Sequence, residues 1–209
     1  CGLKKFTFSR RNRKADVVFL SQKKNKDIFL FKIKIKGIVK SFIISKELSY
    51  YKENILASLS IIANYFNVEK LKKNLFQGFS IPKSRGSLIK YKKGSKKLTI
   101  LDESYNSNPL SLKFALERFN SFNIKKNRKF LLIGDMLELG NYSKKLHIEI
   151  AKYINNSKVN KTYVYGRHTR HTFNKLKPQI KGRILTNSMD IHKLINKDLP
   201  NNSLLMVKG

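Results

Sequence analysis

Two short segments of this 209-residue chain hold most of the side chains whose types and spacing suggest chemistry. Residues 101–109 read LDESYNSNP and residues 134–140 read GDMLELG. Each segment follows an apolar, strand-forming run and precedes a helical pattern, which is where open α/β sheets place their ligand-binding loops. The adjacent carboxylates of Asp102 and Glu103 can accept hydrogen bonds from both hydroxyl groups of a ribose. The spacing therefore predicts a nucleotide-binding loop followed by a second acidic loop.

The two segments, with His147 shortly after the second, resemble the signature of the Mur ligases. Members of that family carry D-[DE]-S-Y-N-A-N-P and then G-D-M-x-E-L-G, followed by a histidine. The resemblance implies an ATP-dependent ligase of cytoplasmic peptidoglycan precursor synthesis, and so a role in cell-wall biogenesis, cell shape and cell division. The branch that these motifs match best joins D-alanyl-D-alanine to UDP-N-acetylmuramoyl-tripeptide through an acyl phosphate, with ATP and Mg²⁺. A Mur-type ligase that adds a single amino acid remains an alternative.

The resemblance implies two sets of site residues. The ATP-binding set is Asn54, Arg85, Asp102, Glu103, Tyr105, Asn106 and Asn108. The substrate-binding set is Asp135, Glu138 and His147. Which of the two adjacent acids in the first segment holds the ribose stays open. No catalytic residue and no metal ligand are assigned.

Three residues depart from the family pattern. Tyr50 and Tyr51 stand where the family has His and Asn ahead of Asn54, and Ser84 replaces the glycine that normally precedes Arg85. A guanidinium at this point suits phosphate or ribose because it makes bidentate hydrogen bonds. An ordinary linker salt bridge would use the same group.

Each motif also has a purely structural alternative. The first segment can be an Asn- and Asp-rich turn that caps the next helix. Asp135 and Glu138 can cap or salt-bridge a turn, and His147 can be a packing residue on an amphipathic helix. His168 and His171 lack carboxylate or cysteine partners at ligand spacing, so they predict no metal site.

No G-x-x-G-K-[ST] phosphate loop occurs in the 209 residues. The chain also begins at Cys1 and ends in Val-Lys-Gly, which the family normally follows with Ser-Arg and a last helix. We therefore expect part of a longer enzyme. Residues 1–84 would be the end of a central ATP-binding domain, and residues 85–209 most of a Rossmann-like C-terminal domain. The missing portion would bind most of the ATP and the Mg²⁺, and this chain alone should be inactive.

The net charge of +32 and the pI near 10.3 raise the alternative of a basic nucleic-acid-binding α/β protein without catalysis. The lysines are scattered, however, and on strand-like segments they alternate with apolar residues instead of forming a stripe with stacking aromatics. No specific nucleic acid is therefore expected. No apolar run is long enough for a membrane span, and the single cysteine excludes an internal disulfide framework. We expect a monomeric cytoplasmic enzyme.

The elements that must position these residues can be predicted from periodicity. Alternation of Phe31, Ile33 and Ile35 with lysines predicts a strand within an antiparallel β segment over residues 5–45. A helix is predicted next, because a set of four apolar residues recurs at helical spacing and would form one apolar face. That set is Ile55, Leu59, Ile62 and Phe66. A second short helix is predicted near residues 68–77, and residues 82–86 form a turn-rich linker.

From residue 97 onward, strand-like and helical segments alternate. The predicted strands are residues 98–101, 130–133, 162–165, 183–185 and 204–207. Asn108 followed by Pro109 is a typical helix start. The predicted fold class is therefore α/β: a Rossmann-like C-terminal domain with a mostly parallel sheet, preceded by the antiparallel β segment and helix.

Overall fold

The computed structural model describes residues 5–125 and 127–209. The strands are β1 (Phe8–Ser9), β2 (Val17–Asn25), β3 (Ile28–Ile35), β4 (Ile38–Ser45), β5 (Ser87–Lys93), β6 (Lys96–Glu103), β7 (Lys129–Ile133), β8 (Lys161–Tyr165), β9 (Lys181–Leu185) and β10 (Ser203–Lys208). The α-helices are α1 (Lys52–Tyr65), α2 (Pro109–Ser121), α3 (Ser143–Glu149), α4 (Ala151–Asn155), α5 (Thr169–Asn174) and α6 (Ser188–Lys193). Contacts divide the chain into a first unit that ends at Ile81 and a second unit, Pro82–Gly209.

The first unit packs one face of a four-stranded sheet, ordered β1-β2-β3-β4, against α1. The predicted alternation is confirmed: Phe31, Ile33 and Ile35 are fully buried, while the lysines between them lie on the other face. The strands β3 and β4 pair antiparallel through a two-residue turn at Lys36 and Gly37, both with positive φ. Such a turn matches the twist of the strands it joins.

Two local predictions for the first unit were wrong. Phe66 does not belong to the buried helix face, because α1 ends at Tyr65 and the Phe66 side chain is 67% exposed. Residues 68–77 form only one 3₁₀ turn, Val68–Lys70, instead of a helix. The backbone of Lys73 accepts a hydrogen bond from the Ile43 N–H of β4, so this segment bonds to the sheet, and its internal backbone bonds form isolated turns instead of a helix. Its leucines still pack on the core, which explains the apolar periodicity.

The second unit is a six-stranded sheet with helices on both faces, ordered β5-β6-β10-β7-β8-β9. All neighbouring strands are parallel except β5, which forms an antiparallel hairpin with β6. Helices α2 to α5 cover one face, where Leu204 and Met206 of β10 are buried, and Leu205 points to the other face with Leu194 and Leu199. The predicted α/β class with a mostly parallel sheet is confirmed.

Strand β5 was missed in the sequence because burial does not define it. Most of its residues are exposed, including Leu88 and Ile89. It is an edge strand held by backbone pairing with β6, from Ser87 opposite Asp102 to Lys93 opposite Lys96. An edge strand with little buried surface leaves no clear period-two signal.

Both ends of α2 are held by side chains. At its start, the Asn108 side chain accepts a hydrogen bond from the Ser111 N–H at 2.8 Å, and the Ser111 hydroxyl accepts one from the Asn108 N–H at 3.0 Å, which confirms the predicted helix start. At its end, the buried ammonium of Lys129 donates to the carbonyl groups of Phe119 and Asn120 at 3.0 and 3.1 Å. The helix that follows the first motif is therefore fixed independently of any ligand.

Replacing Asn108 by alanine should lower the free energy of unfolding by about 1 kcal/mol, because the first turn of α2 loses its cap. Asn108→Ser keeps an oxygen that can cap and should recover most of that stability. Chemical denaturation followed by circular dichroism measures both variants. Equal stability of the alanine variant and the wild type would contradict the capping role.

Candidate functional site

The two motif segments leave the sheet at the same edge. The first follows β6 at Glu103 and the second follows β7 at Ile133, while β10 lies between these two strands and pairs with both. All three strands are parallel, so their carboxyl ends lie together, with two strand spacings, roughly 10 Å, between the motifs. Ligands of open α/β sheets bind outside this edge.

The first loop is tied to the linker that precedes β5. One carboxylate oxygen of Asp102 accepts from the Ser84 hydroxyl at 3.0 Å, and the other accepts from the backbone N–H and hydroxyl of Ser104 at 3.1 and 2.6 Å. The backbone adds two bonds, from the Gly86 N–H to the Asp102 carbonyl and from the Tyr105 N–H to the Ser84 carbonyl. These bonds hold Ser84 at a φ of 62°, in the left-handed region.

This attachment brings Arg85 over Tyr105. The guanidinium carbon lies 3.9 Å from the centre of the phenol ring, within cation–π distance. Both side chains are exposed, and that of Tyr105 is 64% exposed. The linker and the first loop thus present a positive charge and a flat aromatic surface on the same side of the molecule as the Asp102 carboxylate.

Glu103 turns away from this surface toward α2. Its carboxylate lies 3.4 Å from the guanidinium of the buried residue Arg118 and is only 17% exposed. Burial raises the pKa of Glu103, against the opposing charges of Arg118 and Lys208. Consecutive strand residues face opposite sides, so the two acids that the sequence could not tell apart have different surroundings.

The second loop is shaped by Asp135. Its carboxylate accepts three backbone hydrogen bonds, from the N–H groups of Arg167, His168 and Thr169 at 2.9, 3.2 and 2.8 Å. Burial acts to raise the pKa of Asp135, but these three donors outweigh it and hold the pKa below its ordinary value. Gly166 has a φ of 125°, and a Cβ there would lie 2.5 Å from the Asp135 carboxylate, so the approach requires glycine.

His147 holds the second loop from the helix side. Its side chain has no exposed surface, its Nε2 accepts from the Met136 N–H at 3.0 Å, and its Nδ1 lies 2.8 Å from the Ser143 carbonyl. Since Nε2 accepts, the proton belongs on Nδ1, where it is donated to Ser143. Burial lowers the pKa of His147, while the Ser143 bond and the charge of Asp135 act in the opposite direction.

The remaining predicted residues lie in different settings. Glu138 is exposed on the second loop at a φ of 60°, a left-handed conformation that is uncommon for glutamate. Asn106 is exposed on the first loop, and Asn108 uses its side chain to cap α2. Asn54 is exposed in the first turn of α1, in the first unit.

Residues 89–209 match the family model described as Mur ligase, glutamate ligase domain. The chain belongs to the Mur ligase family. It is 28% identical over 130 residues to the UDP-N-acetylmuramoyl-tripeptide–D-alanyl-D-alanine ligase of Rickettsia prowazekii (strain Madrid E). The aligned region covers 62% of this chain and 28% of that protein. The enzyme of the same name from Bacillus subtilis (strain 168) is 33% identical over 137 residues, covering 64% and 28%. The chain thus spans about a quarter of the length of these relatives.

Solved structures of Mur ligases share the fold of nearly the whole chain. The MurF ligase of Thermotoga maritima in complex with ADP superposes with a TM-score of 0.71 at 20% identity, over 97% of this chain and 44% of that one. A MurF structure from Acinetobacter baumannii has a TM-score of 0.75 at 19% identity, over 98% and 43%. At such identities the likeness shows a common fold.

Sequence reasoning missed several residues that shape these two loops. Lys208, at the end of β10, donates from its ammonium to the carbonyl groups of Glu103 and Asn106. Ser84, Arg118 and Gly166 act through contacts with residues that are distant in sequence. For Lys208, the only local signal in the sequence was its position at the end of an apolar, buried strand.

Two further observations bear on partners. Within residues 5–125 and 127–209, no three His, Cys, Asp or Glu side chains come together so that they could hold a metal ion. None of the helices that the structure describes is both long enough and apolar enough to cross a membrane.

The buried ring of His147 predicts a loss of stability on acidification. Its folded pKa is below the ordinary 6.5, so its contribution should be complete above pH 6.5 and be lost as the pH falls below 6.5 toward the folded value. NMR titration of the ring should give a midpoint below 6.5. The charges that face this ring are those of Asp135, His168 and His171, which lie close enough to affect its titration.

The matched variant is His147→Gln, which keeps polar atoms but cannot gain a charge. Its free energy of unfolding should depend less on pH than that of the wild type as the pH falls below 6.5. A variant profile as steep as that of the wild type would show that other groups cause the effect.

Proposed function

We propose that this chain is part of an ATP-dependent ligase that joins D-alanyl-D-alanine to UDP-N-acetylmuramoyl-tripeptide. The observation that carries the proposal is the meeting of the two motif loops at one carboxyl edge of a parallel sheet. Its support is membership in the Mur ligase family and two curated relatives that bear this activity in their names. A Mur-type ligase that adds a single amino acid is the alternative within the family.

On the nucleotide side, we assign the ribose to Asp102 rather than to Glu103. The Asp102 oxygen that accepts only from the Ser84 hydroxyl has a second lone-pair direction beyond this contact, and the group lies beside the exposed pair Arg85 and Tyr105. Glu103 is engaged by Arg118 instead. A guanidinium stacked on an aromatic ring offers a nucleotide both charge for phosphate and a surface for stacking.

On the acceptor side, the second loop would bind the incoming dipeptide. Glu138 is its exposed carboxylate and is the candidate for contacting an ammonium group. Asp135 and His147 would act through the shape of the loop, because their polar atoms already have backbone partners. This division changes the expected roles of Asp135 and His147 from direct contact to positioning.

The chemistry would follow the family scheme. ATP would transfer a phosphoryl group to the tripeptide carboxylate, and the dipeptide amine would then displace phosphate from the acyl phosphate. Such transfer needs cationic groups and Mg²⁺ on the phosphates. By the family scheme, Mg²⁺ would be held mainly by other parts of the enzyme.

We further propose that the first unit is the end of a central ATP-binding domain, with Asn54 as its nucleotide contact, and that residues 85–209 belong to the C-terminal ligase domain. The support is the likeness of nearly the whole chain to part of the MurF structures. A monomeric, cytoplasmic enzyme without a specific nucleic-acid partner completes the proposal.

In the intact ligase, Asp102→Ala should raise the apparent KM for ATP on the order of tenfold, because a charge-assisted hydrogen bond to the ribose is lost. Glu103→Gln should lower thermal stability and leave the KM for ATP little changed. Ser84→Ala is the control, since it removes the linker bond of Asp102 but keeps the carboxylate. Steady-state kinetics at saturating peptide substrates measures all three. If only Glu103→Gln raises the KM for ATP, the ribose is held by Glu103 and the assignment to Asp102 is wrong.

The purified 209-residue chain alone should show no ATP-dependent joining of D-alanyl-D-alanine to UDP-N-acetylmuramoyl-tripeptide, because it carries no phosphate loop. Phosphate release with and without each peptide substrate measures this. The intact protein, which should be active under the same conditions, is the control. Turnover by the chain alone would contradict the prediction, and an inactive intact protein would contradict the proposed function.

A further inference from the structure

Lys208 is a buried lysine whose ammonium lies under the first motif loop. Its side chain is 2% exposed and donates to the Glu103 carbonyl at 3.1 Å and to the Asn106 carbonyl. These two carbonyls belong to the beginning and the middle of the loop that carries Tyr105. The loop therefore folds over the ammonium and encloses it.

The same residue also contacts the second motif. Its backbone carbonyl accepts a hydrogen bond from the Gly134 N–H at 2.7 Å. Through its main chain and side chain, Lys208 thus contacts the residue that opens the GDM segment and two residues of the first loop. Lys208 is the residue of β10 that pairs with the last residue of each neighbouring strand, Glu103 of β6 and Ile133 of β7.

A buried ammonium constrains its surroundings. Removing a charge from water is costly unless hydrogen bonds and an opposite charge replace the water. Here the loop carbonyls supply the hydrogen bonds, and the carboxylate of Glu103, itself paired with Arg118, supplies the negative charge. Opening of the loop would strip the ammonium of its acceptors, so the charge favours the closed arrangement.

We propose that Lys208 is the positioning residue of the nucleotide loop: its ammonium holds the segment from Glu103 to Asn106 so that Asp102 and Tyr105 face the nucleotide. The inference rests on the proposed function for the identity of that ligand. Lys208 touches no ligand itself because its side chain is buried. Its effect on the reaction is transmitted entirely through the loop.

The chain offers a matched control in Lys129. Its ammonium is also buried and also donates to two backbone carbonyls, those of Phe119 and Asn120. Lys129 opens β7, however, so it lies at the amino edge of the sheet, opposite the motif loops. Loss of either ammonium should destabilise the fold, but only loss of the Lys208 ammonium should weaken nucleotide binding.

The test compares Lys208→Met with Lys129→Met in the intact protein, since methionine keeps the length of the side chain and removes the charge. Lys208→Met should raise the apparent KM for ATP about tenfold, as expected when hydrogen bonds to a charged group are lost. Its kcat should change much less. Hydrogen exchange of the amides of residues 104–106 should become faster. Lys129→Met should lower the melting temperature without either effect.

An unchanged KM for ATP in a folded Lys208→Met variant would overturn the inference. So would equal changes of KM in both variants, because the effect would then be one of general stability. If Lys208→Met does not fold, Lys208→Gln is compared with Lys129→Gln by the same criteria. Wild-type protein that performs no ATP-dependent ligation would refute the proposed function instead, and the exchange measurement would still report whether Lys208 holds the loop.

Discussion

The insertion of β10 between β6 and β7 is the constraint on which the rest of the second unit depends. The last strand of the chain pairs with the two strands that carry the motifs, and its side chains complete the core on both faces of the sheet. Without it, β6 and β7 would have no common neighbour and their loops would not share an edge. The site is therefore assembled by pairing between residues roughly a hundred positions apart, as Lys208 opposite Glu103 illustrates. Contacts of this range carry a large loop-closure entropy cost, which slows folding.

Two of the acids near this edge, Glu103 and Asp135, are held by the fold itself. In a chain of net charge +32 with only 13 acidic residues, Asp135 binds three backbone N–H groups and Glu103 pairs with Arg118. Buried acids with such partners are costly to rearrange. Part of the excess lysine lies on exposed strand positions, such as Lys32 of β3 and Lys90 and Lys92 of β5. Charge of this kind gives salt-sensitive, unselective attraction to polyanions rather than recognition.

Periodicity predicted the larger part of the fold because burial defines it. The alternation around Phe31 and the five parallel strands of the second unit each leave a pattern in the sequence. Backbone bonding left no such pattern: β5 has little buried surface and gave no signal. Residues 68–77 have helix-like apolar spacing, although the Lys73 carbonyl bonds to β4. The motifs located the site, and the capping of α2 by Asn108 followed from local chemistry. The different surroundings of Asp102 and Glu103 could not be predicted, because they depend on Ser84 and Arg118 across the fold.

A motif in this family therefore mixes residues that face a ligand with residues that fix the loop, and spacing alone does not separate them. Asp135 and His147 carry the side chains most often associated with acid–base chemistry, yet their polar atoms bond to backbone groups. Tyr105 and Arg85, whose types suggest less chemistry, lie exposed at the carboxyl edge of the sheet. Polar atoms with internal partners are least free to exchange them for a ligand, since each lost bond leaves a buried group unsatisfied. The count of remaining hydrogen-bonding positions on a side chain, read together with its exposure, is then the physical criterion that separates contact from positioning in these loops.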